Sequence, residues 1–210
     1  MKKTSSKTKL LIFDFDGVLA DSYEQLLEVT KYVTQKKKIA LLPPAELRKM
    51  SSQEAFKKMG ISSCRALSLV KMSQKELAKR DLPSIKLGMK ELVLGLDDSF
   101  ILGIVSSSPE KRILDFLKKE GLDSSFEFIH ASLPLWGKER VLWKYSVKYQ
   151  GLNFLYVGDE ERDIVAGHNA GFRVISVFWG AKDGDFLKSY RPEYIVETPE
   201  RLSLLLKDFD

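Results

Sequence analysis

The sequence predicts an α/β protein: a doubly wound parallel sheet with a small helical domain inserted after the first strand. Short, continuous apolar runs alternate with amphipathic helical segments, which is typical of a parallel sheet covered by helices on both faces. Residues 22–86 contain no strand-like run and carry apolar residues at helical spacing. In addition, acidic residues directly follow the first apolar run and a later one, which indicates a site at one edge of the sheet.

Six apolar runs are expected to form the strands. In chain order they are residues 10–13, 100–105, 126–131, 154–159, 173–179 and 193–196. The segments between them predict helices over 109–120, 138–149 and 163–171. The first of these helices has clear limits, because Pro109 suits a first helical turn and Gly121 suits a helix end.

The segment between the first two strands is far longer than the ~2–6 residues that usually join a strand to its helix. It breaks at Pro43-Pro44 and Gly60, and over residues 22–86 it carries 14 Lys and Arg against 6 Asp and Glu. We interpret it as a separate helical cap domain (22–86) on an α/β core domain (1–21 and 87–210). Hinges are expected near 22–25 and 85–88, where the insertion leaves and rejoins the core.

Composition excludes several classes of protein. The chain has 210 residues, of which 44% are hydrophobic and 30% charged, as in a globular protein with a substantial core. The net charge of +5 is too small to indicate nucleic-acid binding, and no nucleic-acid motif occurs. Cys64 is the single cysteine, which excludes an internal disulfide and a cysteine-based metal site.

The N-terminal segment does not predict a secretion signal or a membrane anchor. The apolar run after the basic start reaches Asp14 after four residues, whereas a signal core needs ~7–15. No other stretch approaches the ~18 apolar residues that span a bilayer. We therefore predict a cytoplasmic protein without a membrane partner, present as a monomer or a homodimer.

Four acidic residues lie at the predicted carboxyl edge of the sheet, where ligands of doubly wound proteins bind. Asp14 and Asp16 follow the first strand, and Asp159 ends the fourth, with Asp163 four residues later. Carboxylates brought together need a cation between them, and Mg²⁺ prefers oxygen ligands of this kind. The sequence therefore predicts a Mg²⁺ site at these four acids.

Hydroxyl groups and a lysine fall at the same edge. Ser106 and Ser107 follow the second strand, and Lys138 begins the helix between the third and fourth strands. Together with exposed backbone N–H groups, such side chains can hold a phosphate. We therefore expect the partner to be a small phosphorylated metabolite.

These motifs resemble those of the haloacid dehalogenase-like hydrolases. Within that family, the chain is similar to the phosphoglycolate phosphatase-like and β-phosphoglucomutase-like members, which carry a helical cap on a Rossmann-like core. The segment DFDGVLADS resembles the first family motif, IVSSS the second, WGKERVLWKY the third and YVGDEERD the fourth. All four occur in the family's order, so the resemblance covers essentially the whole chain.

The resemblance implies a role for each residue of the first two motifs. Asp14 would be the nucleophile that forms an aspartyl-phosphate. Asp16 would protonate the leaving oxygen and then activate water, while its backbone carbonyl would bind the metal. Ser106 would hydrogen-bond the transferring phosphoryl group, and Gly17 and Ser107 would contribute to substrate binding.

The later motifs and the cap supply the remaining roles. Lys138 would tie the nucleophile to the phosphoryl oxygens, Asp159 would bind Mg²⁺ directly, and Asp163 would bind it directly or through water. The cap segment LRKMSSQEAFKKMG resembles one that carries a substrate-contacting arginine in mutase-like relatives, so Arg48 would meet an anionic part of the substrate. Those relatives often have a glycine shortly after this arginine, where this chain has residues 50–52, Met-Ser-Ser.

Two motifs have alternatives. The segment Asp14-x-Asp16-Gly17 could be a capped turn, and Lys144 or Lys148 could take the role given to Lys138.

Three further residues also allow a structural interpretation. Ser106 could cap the helix that begins near Pro109. Asp163 could be an acid favoured in the first turn of a helix, and Arg48 could lie on a solvated helix face.

The resulting prediction is a Mg²⁺-dependent phosphatase that hydrolyses a small, phosphoglycolate-like phosphomonoester through an aspartyl-phosphate. The C-terminal segment VFWGAKDGDFLKSYRPEYIVETPERL resembles the tail of such phosphatases, and Asp16 argues against dehalogenation. Three alternatives are a sugar phosphomutase of the same family, a non-catalytic phosphate- or metal-binding protein, and a receiver-type signalling domain. A receiver-type domain fits less well, because it lacks the D-x-D-G motif after its first strand and a helical insertion there.

Overall fold

The protein is described by a computed structural model that covers residues 8–96, 100–134 and 137–209. Its strands are β1 (Lys9–Phe13), β2 (Ala20–Asp21), β3 (Ser84–Ile85), β4 (Phe100–Val105), β5 (Phe128–His130), β6 (Asn153–Gly158), β7 (Arg173–Val177) and β8 (Tyr194–Val196). Its helices are α1 (Tyr23–Lys36), α2 (Pro44–Leu47), α3 (Ser52–Lys58), α4 (Ser63–Leu77), α5 (Met89–Leu96), α6 (Glu110–Glu120), α7 (Lys138–Lys148), α8 (Glu161–Asn169), α9 (Gly184–Lys188) and α10 (Pro199–Lys207). The first seven residues of the predicted core domain lie outside the described residues.

Six strands form one parallel sheet in the order β5-β4-β1-β6-β7-β8. Successive residues of β1 point to opposite faces of this sheet, so Leu11 and Phe13 pack in one apolar cluster and Leu10 and Ile12 in another. Because both faces are covered, β1 reads as a continuous apolar run. The chain winds outward in both directions from β1, and the predicted fold class is confirmed.

All six predicted strands form, but three are shorter than the sequence indicated; the last of these, 193–196, loses only its first residue. The run 126–131 contributes only β5, which pairs on one side with Gly103–Val105 of β4. The run 173–179 ends as β7 at Val177, because its outer neighbour β8 is only three residues long. The helices α5, α9 and α10 were not predicted.

The segment between β1 and α5 forms a separate layer of four helices, α1–α4. It has its own apolar cluster, which includes Val29, Val33, Ala66 and Leu69. A two-stranded antiparallel ribbon, β2 with β3, joins this layer to the core. The ribbon was not predicted, because two-residue strands leave no periodic signal. It lies beside the predicted hinges, and the division of the chain into 22–86 and a core stays a prediction.

None of the helices within the described residues is long and apolar enough to cross a membrane.

Candidate active site

Asp14 lies at the carboxyl end of the central strand, between β4 and β6. Its backbone N–H donates to the Val157 carbonyl (2.9 Å), which continues the β1–β6 pairing by one residue. Its Oδ1 accepts from the Phe15 N–H (2.7 Å) and its Oδ2 from Lys138 Nζ (2.5 Å). The residue is only 5% exposed, and this burial raises the pKa of Asp14 to about 7 although Lys138 acts to lower it.

Lys138 begins α7 and joins two of the predicted acids. Its buried Nζ lies 2.5 Å from Asp14 Oδ2 and 2.6 Å from Asp163 Oδ1. Burial by itself would lower the pKa of a lysine, but these two carboxylates outweigh it and raise the pKa well above its usual range. Lys138 therefore stays cationic and neutralises part of the charge of Asp14 and Asp163.

Asp163 is fully buried in the first turn of α8 and has four hydrogen-bond donors. Oδ1 accepts from Lys138 Nζ and from the Tyr156 hydroxyl (3.1 Å). Oδ2 accepts from the backbone N–H groups of Asp159 (3.2 Å) and Glu160 (3.1 Å). Four donors match the ~four lone-pair positions of a carboxylate. Asp163 therefore caps α8 and orients Lys138, and the same acid could bind a metal directly only by giving up one of these donors.

Tyr156 was not identified from the sequence. It lies inside β6, where an aromatic residue is expected to pack, and nothing in the sequence shows that its hydroxyl reaches Asp163. Burial raises its pKa well above the usual range, so the hydroxyl stays protonated and donates.

Asp159 follows β6 and has one carboxylate oxygen without a protein partner. Its Oδ2 accepts from the Ala181 N–H (2.5 Å), whereas its buried Oδ1 has no hydrogen bond to any described residue. Burial raises the pKa of Asp159 well above its usual range, and Glu160, Asp163 and Asp14 raise it further. A Cβ atom added to Gly17 or Gly180 would overlap the Asp159 carboxylate, so two glycines let the backbone approach it closely.

Three carboxylates form a cluster that fits a divalent cation. Ligand oxygens of Asp14, Asp159 and Asp163 lie within 4.8 Å of one another. Asp159 Oδ1 is buried without a partner among the described residues, and Lys138 contacts Asp14 and Asp163 but not Asp159, so a cation in this cluster would supply the partner that Asp159 lacks. Hard oxygen ligands of this kind suit Mg²⁺. The Asp16 side chain lies outside this cluster.

Asp16 is instead held by a serine that the sequence analysis passed over. The Ser108 hydroxyl donates to Asp16 Oδ2, and Asp16 Oδ1 is buried without a partner among the described residues. The backbone N–H of Ser108 donates to Ser106 Oγ (3.1 Å). The signal for Ser108 was present in the motif IVSSS, where it is the third serine.

Of the other predicted phosphate-binding positions, Ser106 and Ser107 line the same cavity as Asp14 and Lys138. The Ser107 hydroxyl is buried without a partner within the described residues, and the Ser107 carbonyl accepts from Gln74 Nε2 of α4 (2.6 Å). Ser106 is almost fully buried, and its hydroxyl accepts from the Ser108 N–H before the helix begins. The N-cap of α6 is Pro109, without a side-chain cap hydrogen bond, so the interpretation of Ser106 as a cap of this helix is wrong. Gly17 has a φ of 71°, a conformation that favours glycine.

Arg48 reaches the core and is not on a solvated helix face, so that alternative is wrong. It follows α2, and its Nη1 donates to the Gly180 carbonyl (3.0 Å) while its Nη2 donates to the Lys182 carbonyl (3.4 Å). Its guanidinium carbon also lies 5.1 Å from the centre of the Tyr23 ring. The predicted contact with substrate stays a prediction.

Lys182, which the sequence did not single out, fastens the same part of the helical layer. Its buried Nζ donates to the carbonyls of Leu47 (3.0 Å) and Met50 (2.7 Å) and lies 3.6 Å from Glu161 Oε2. Glu161 Oε1 in turn accepts from the Ser52 N–H (2.7 Å). These contacts close the helical layer over the acids.

A cavity of about 340 Å³ lies between the helical layer and the sheet edge. On the core side it is lined by Asp14, Asp16, the three serines after β4, and Lys138. On the other side it is lined by α1, α3 and α4. Six of the predicted site residues therefore share one cavity with the inserted helices, namely Asp14, Asp16, Arg48, Ser106, Ser107 and Lys138, whereas Gly17, Asp159 and Asp163 are not part of its lining.

Comparison with known proteins supports the family resemblance that the four sequence motifs indicate. A family model described as haloacid dehalogenase-like hydrolase matches residues 11–177. A phosphoglycolate phosphatase of Synechococcus elongatus is 32% identical over 200 residues, which are 91% of this chain and 94% of that protein. The pyrophosphatase PpaX of Bacillus anthracis is 25% identical over 218 residues, 97% of this chain and 99% of that protein.

Solved structures share the fold. A hydrolase from Pseudomonas syringae superposes with a TM-score of 0.77 at 22% identity, over 96% of this chain and 99% of that one. A haloacid dehalogenase-like family protein from Streptococcus pneumoniae gives a TM-score of 0.75 at 17% identity, over 95% and 99% of the two chains. At these identities the likeness concerns the fold alone.

Proposed function

Because this chain belongs to the haloacid dehalogenase-like hydrolase family and to its phosphoglycolate phosphatase-like branch, we propose that it hydrolyses a small-molecule phosphomonoester through an aspartyl-phosphate in a Mg²⁺-dependent reaction. One observation carries the proposal. The buried Asp14 carboxylate lies at the end of the central strand, with Lys138 on one oxygen and Asp16 two residues away.

Asp14 acts as the nucleophile. One carboxylate oxygen forms a bond to phosphorus while the bond from phosphorus to the substrate oxygen breaks. The Phe15 N–H and Lys138 Nζ fix the orientation of this carboxylate. Lys138 also favours the ionised form of Asp14, which is the form that can attack.

Asp16 moves the protons. It gives a proton to the departing oxygen, so the alcohol leaves neutral, and it then takes a proton from the water that attacks phosphorus. That second step releases inorganic phosphate and restores Asp14. The Ser108 hydroxyl holds Asp16 in place for both transfers.

Asp14, Asp159 and the backbone carbonyl of Asp16 would hold the Mg²⁺ ion, with Asp163 contributing through water because its oxygens already have four donors. When bound, Mg²⁺ neutralises the negative charge of the carboxylates and of the phosphoryl group. The hydroxyls of Ser106 and Ser107 lie on the same side of the cavity and would hydrogen-bond the phosphoryl oxygens.

The names of the relatives supply reference substrates. One relative is a phosphoglycolate phosphatase and another a pyrophosphatase, which supports a phosphatase over a sugar phosphomutase or a binding protein. Phosphoglycolate is the first compound to test. A small phosphorylated metabolite as sole partner, without nucleic acid or membrane, and a monomeric or homodimeric state stay predictions.

The test is release of inorganic phosphate from a panel of phosphomonoesters, with Mg²⁺ and with a chelator, using wild type, Asp14→Asn and Asp123→Asn. Asp123 is an exposed acid after α6 and serves as the matched control. We expect Mg²⁺-dependent release that Asp14→Asn abolishes and Asp123→Asn leaves intact. If folded wild-type protein releases no phosphate from any ester, the proposal fails.

A further inference from the structure

The cavity above the acids has an apolar wall. Where α1, α3, α4 and the connections after α1 and α3 face the core, the wall is built mainly from aliphatic, aromatic and methionine side chains, among them Leu27, Leu41, Phe56, Met59 and Val70. This wall is continuous with Asp14, Asp16 and Lys138, because all of them line one cavity. A group attached to the phosphate can therefore lie against this wall.

Two of the hydroxyl groups in this wall, those of Thr30 and Thr34, are already satisfied by the helix that carries them. Thr30 Oγ1 donates to the Leu26 carbonyl (2.8 Å), and Thr34 Oγ1 donates to the Thr30 carbonyl (2.7 Å). The Gln74 amide donates to the carbonyls of Ser107 and Leu133. Because these donors already have acceptors in the protein, they offer few hydrogen bonds to a group that lies against the wall.

The cations that line the cavity are engaged as well. Arg48 donates to two carbonyls of the loop after β7, and Lys182 donates to Leu47 and Met50. Arg162 pairs with Glu160 at 2.7 Å, and Lys138 pairs with Asp14 and Asp163. Every lysine and arginine of this lining thus has a partner within the described residues. A second anionic group on a substrate would have to share one of these already engaged cations.

The volume is also large for a two-carbon substrate. An apolar cavity of ~150 Å³ holds one benzene ring, and this cavity has about 340 Å³. There is room for a phosphoryl group together with a ring-sized apolar body. The carboxylate of phosphoglycolate would instead lose its hydration against apolar side chains, which is unfavourable.

We propose that this wall is a binding site for an apolar leaving group, so that the preferred substrate is the phosphate monoester of an alcohol with an apolar body. The inference rests on the proposed phosphatase function and names its substrate class. The reaction is the one given above, in which water and the ester yield the alcohol and inorganic phosphate.

The first test compares kcat/KM for ethyl, butyl and hexyl phosphate, with phosphoglycolate and pyrophosphate as polar references. Simple alkyl esters share a similar leaving group, so differences among them report contacts of the chain. We expect kcat/KM to rise by about two- to fourfold per methylene, since ~0.8 kcal/mol per buried methylene corresponds to about fourfold. Hexyl phosphate should exceed phosphoglycolate at least tenfold.

The second test places a charge in the wall. Val70→Lys puts a cation on the cavity side of α4, whereas Leu67→Lys puts one at an exposed position of the same helix. We expect Val70→Lys to lower kcat/KM for hexyl phosphate at least tenfold more than it lowers kcat/KM for phosphoglycolate. Leu67→Lys should change kcat/KM for neither ester. Val70→Thr, similar in shape, should lower the hexyl-to-ethyl ratio even if the lysine variant does not fold.

The outcomes separate this inference from the function on which it rests. If kcat/KM rises along the alkyl series and Val70→Lys removes that rise, both the apolar site and the phosphatase function are supported. Activity on phosphoglycolate or pyrophosphate with a flat or falling alkyl series overturns the apolar site and leaves the phosphatase standing. No phosphate release from any compound overturns both.

Discussion

The hydroxyl of Ser108 donates a hydrogen bond to Oδ2 of Asp16, and so connects the loop after β4 to the loop after β1. The two residues are separated by the whole helical insertion in the chain. Ser108 also donates its backbone N–H to Ser106, so one residue positions both Asp16 and a predicted phosphate-binding hydroxyl. Asp16 has no other side-chain hydrogen bond within the described part of the chain.

We expect Ser108→Ala to reduce kcat about tenfold or more on alkyl phosphates, because Asp16 loses the group that orients it for proton transfer. The loss should be smaller on p-nitrophenyl phosphate, whose leaving oxygen needs little protonation. Steady-state kinetics on both esters measure this, and Ser108→Thr, which keeps a hydroxyl, should recover part of the activity. Equal losses on the two esters would contradict the role given to Ser108.

The stability of the metal-free protein should depend on pH through Asp14. Its pKa is about 7 in the folded protein and ~3.9 when unfolded. Between about pH 4 and pH 7 the folded state therefore holds a proton that the unfolded state has lost, and the free energy of unfolding falls as pH rises.

Asp14→Asn removes this ionisation. In chelator, we expect the variant to be more stable than wild type by roughly 2–4 kcal/mol above pH 7 and nearly equal to it near pH 4. Urea denaturation at several pH values measures the difference, and Mg²⁺ should reduce it by stabilising wild type. A difference that does not change with pH would show that Asp14 is not the responsible group.

Two glycines with nearly the same φ offer a matched test of the acidic cluster. Gly17 and Gly121 have φ values of 71° and 70°, but only at Gly17 would a Cβ meet another residue, the Asp159 carboxylate. Gly121→Ala should cost about 1 kcal/mol of stability and leave activity intact. Gly17→Ala should cost more and should abolish Mg²⁺-dependent turnover by displacing Asp159. Chemical denaturation and activity assays of both variants decide this, and equal behaviour would contradict the close packing.

Lys182 should fasten the helical layer over the site. Lys182→Met removes the donor to Leu47 and Met50 and leaves the buried Glu161 without its cation. We expect a loss of roughly 2–4 kcal/mol in the free energy of unfolding and a faster proteolytic cleavage near residues 47–52. Lys49→Met, at an exposed position, is the control. If the two variants are cleaved at the same rate, Lys182 does not hold this segment.

The sequence determined the fold class and the acidic cluster because both depend on local patterns. Continuous apolar runs mark buried parallel strands, and the residues that follow those strands converge at one edge whatever the details of packing. Asp14, Asp159 and Lys138 were therefore found from strand ends and motif order. The same reasoning left Asp163 with two interpretations, and the structure shows it capping α8 while also contacting Lys138.

Only the tertiary structure decided what surrounds these residues. Some of these contacts join residues that are distant in the chain, such as the hydrogen bond from Ser108 to Asp16 and those from Arg48 and Lys182 to backbone carbonyls. Another, from the Tyr156 hydroxyl to Asp163, could not be foreseen because Tyr156 lies within the apolar pattern of a strand. The apolar wall of the cavity was equally invisible, since a leucine that lines a cavity and one that fills a core have the same helical spacing. Side-chain periodicity reports which face of an element is buried, whereas the docking of the inserted helices on the sheet edge determines what that face meets.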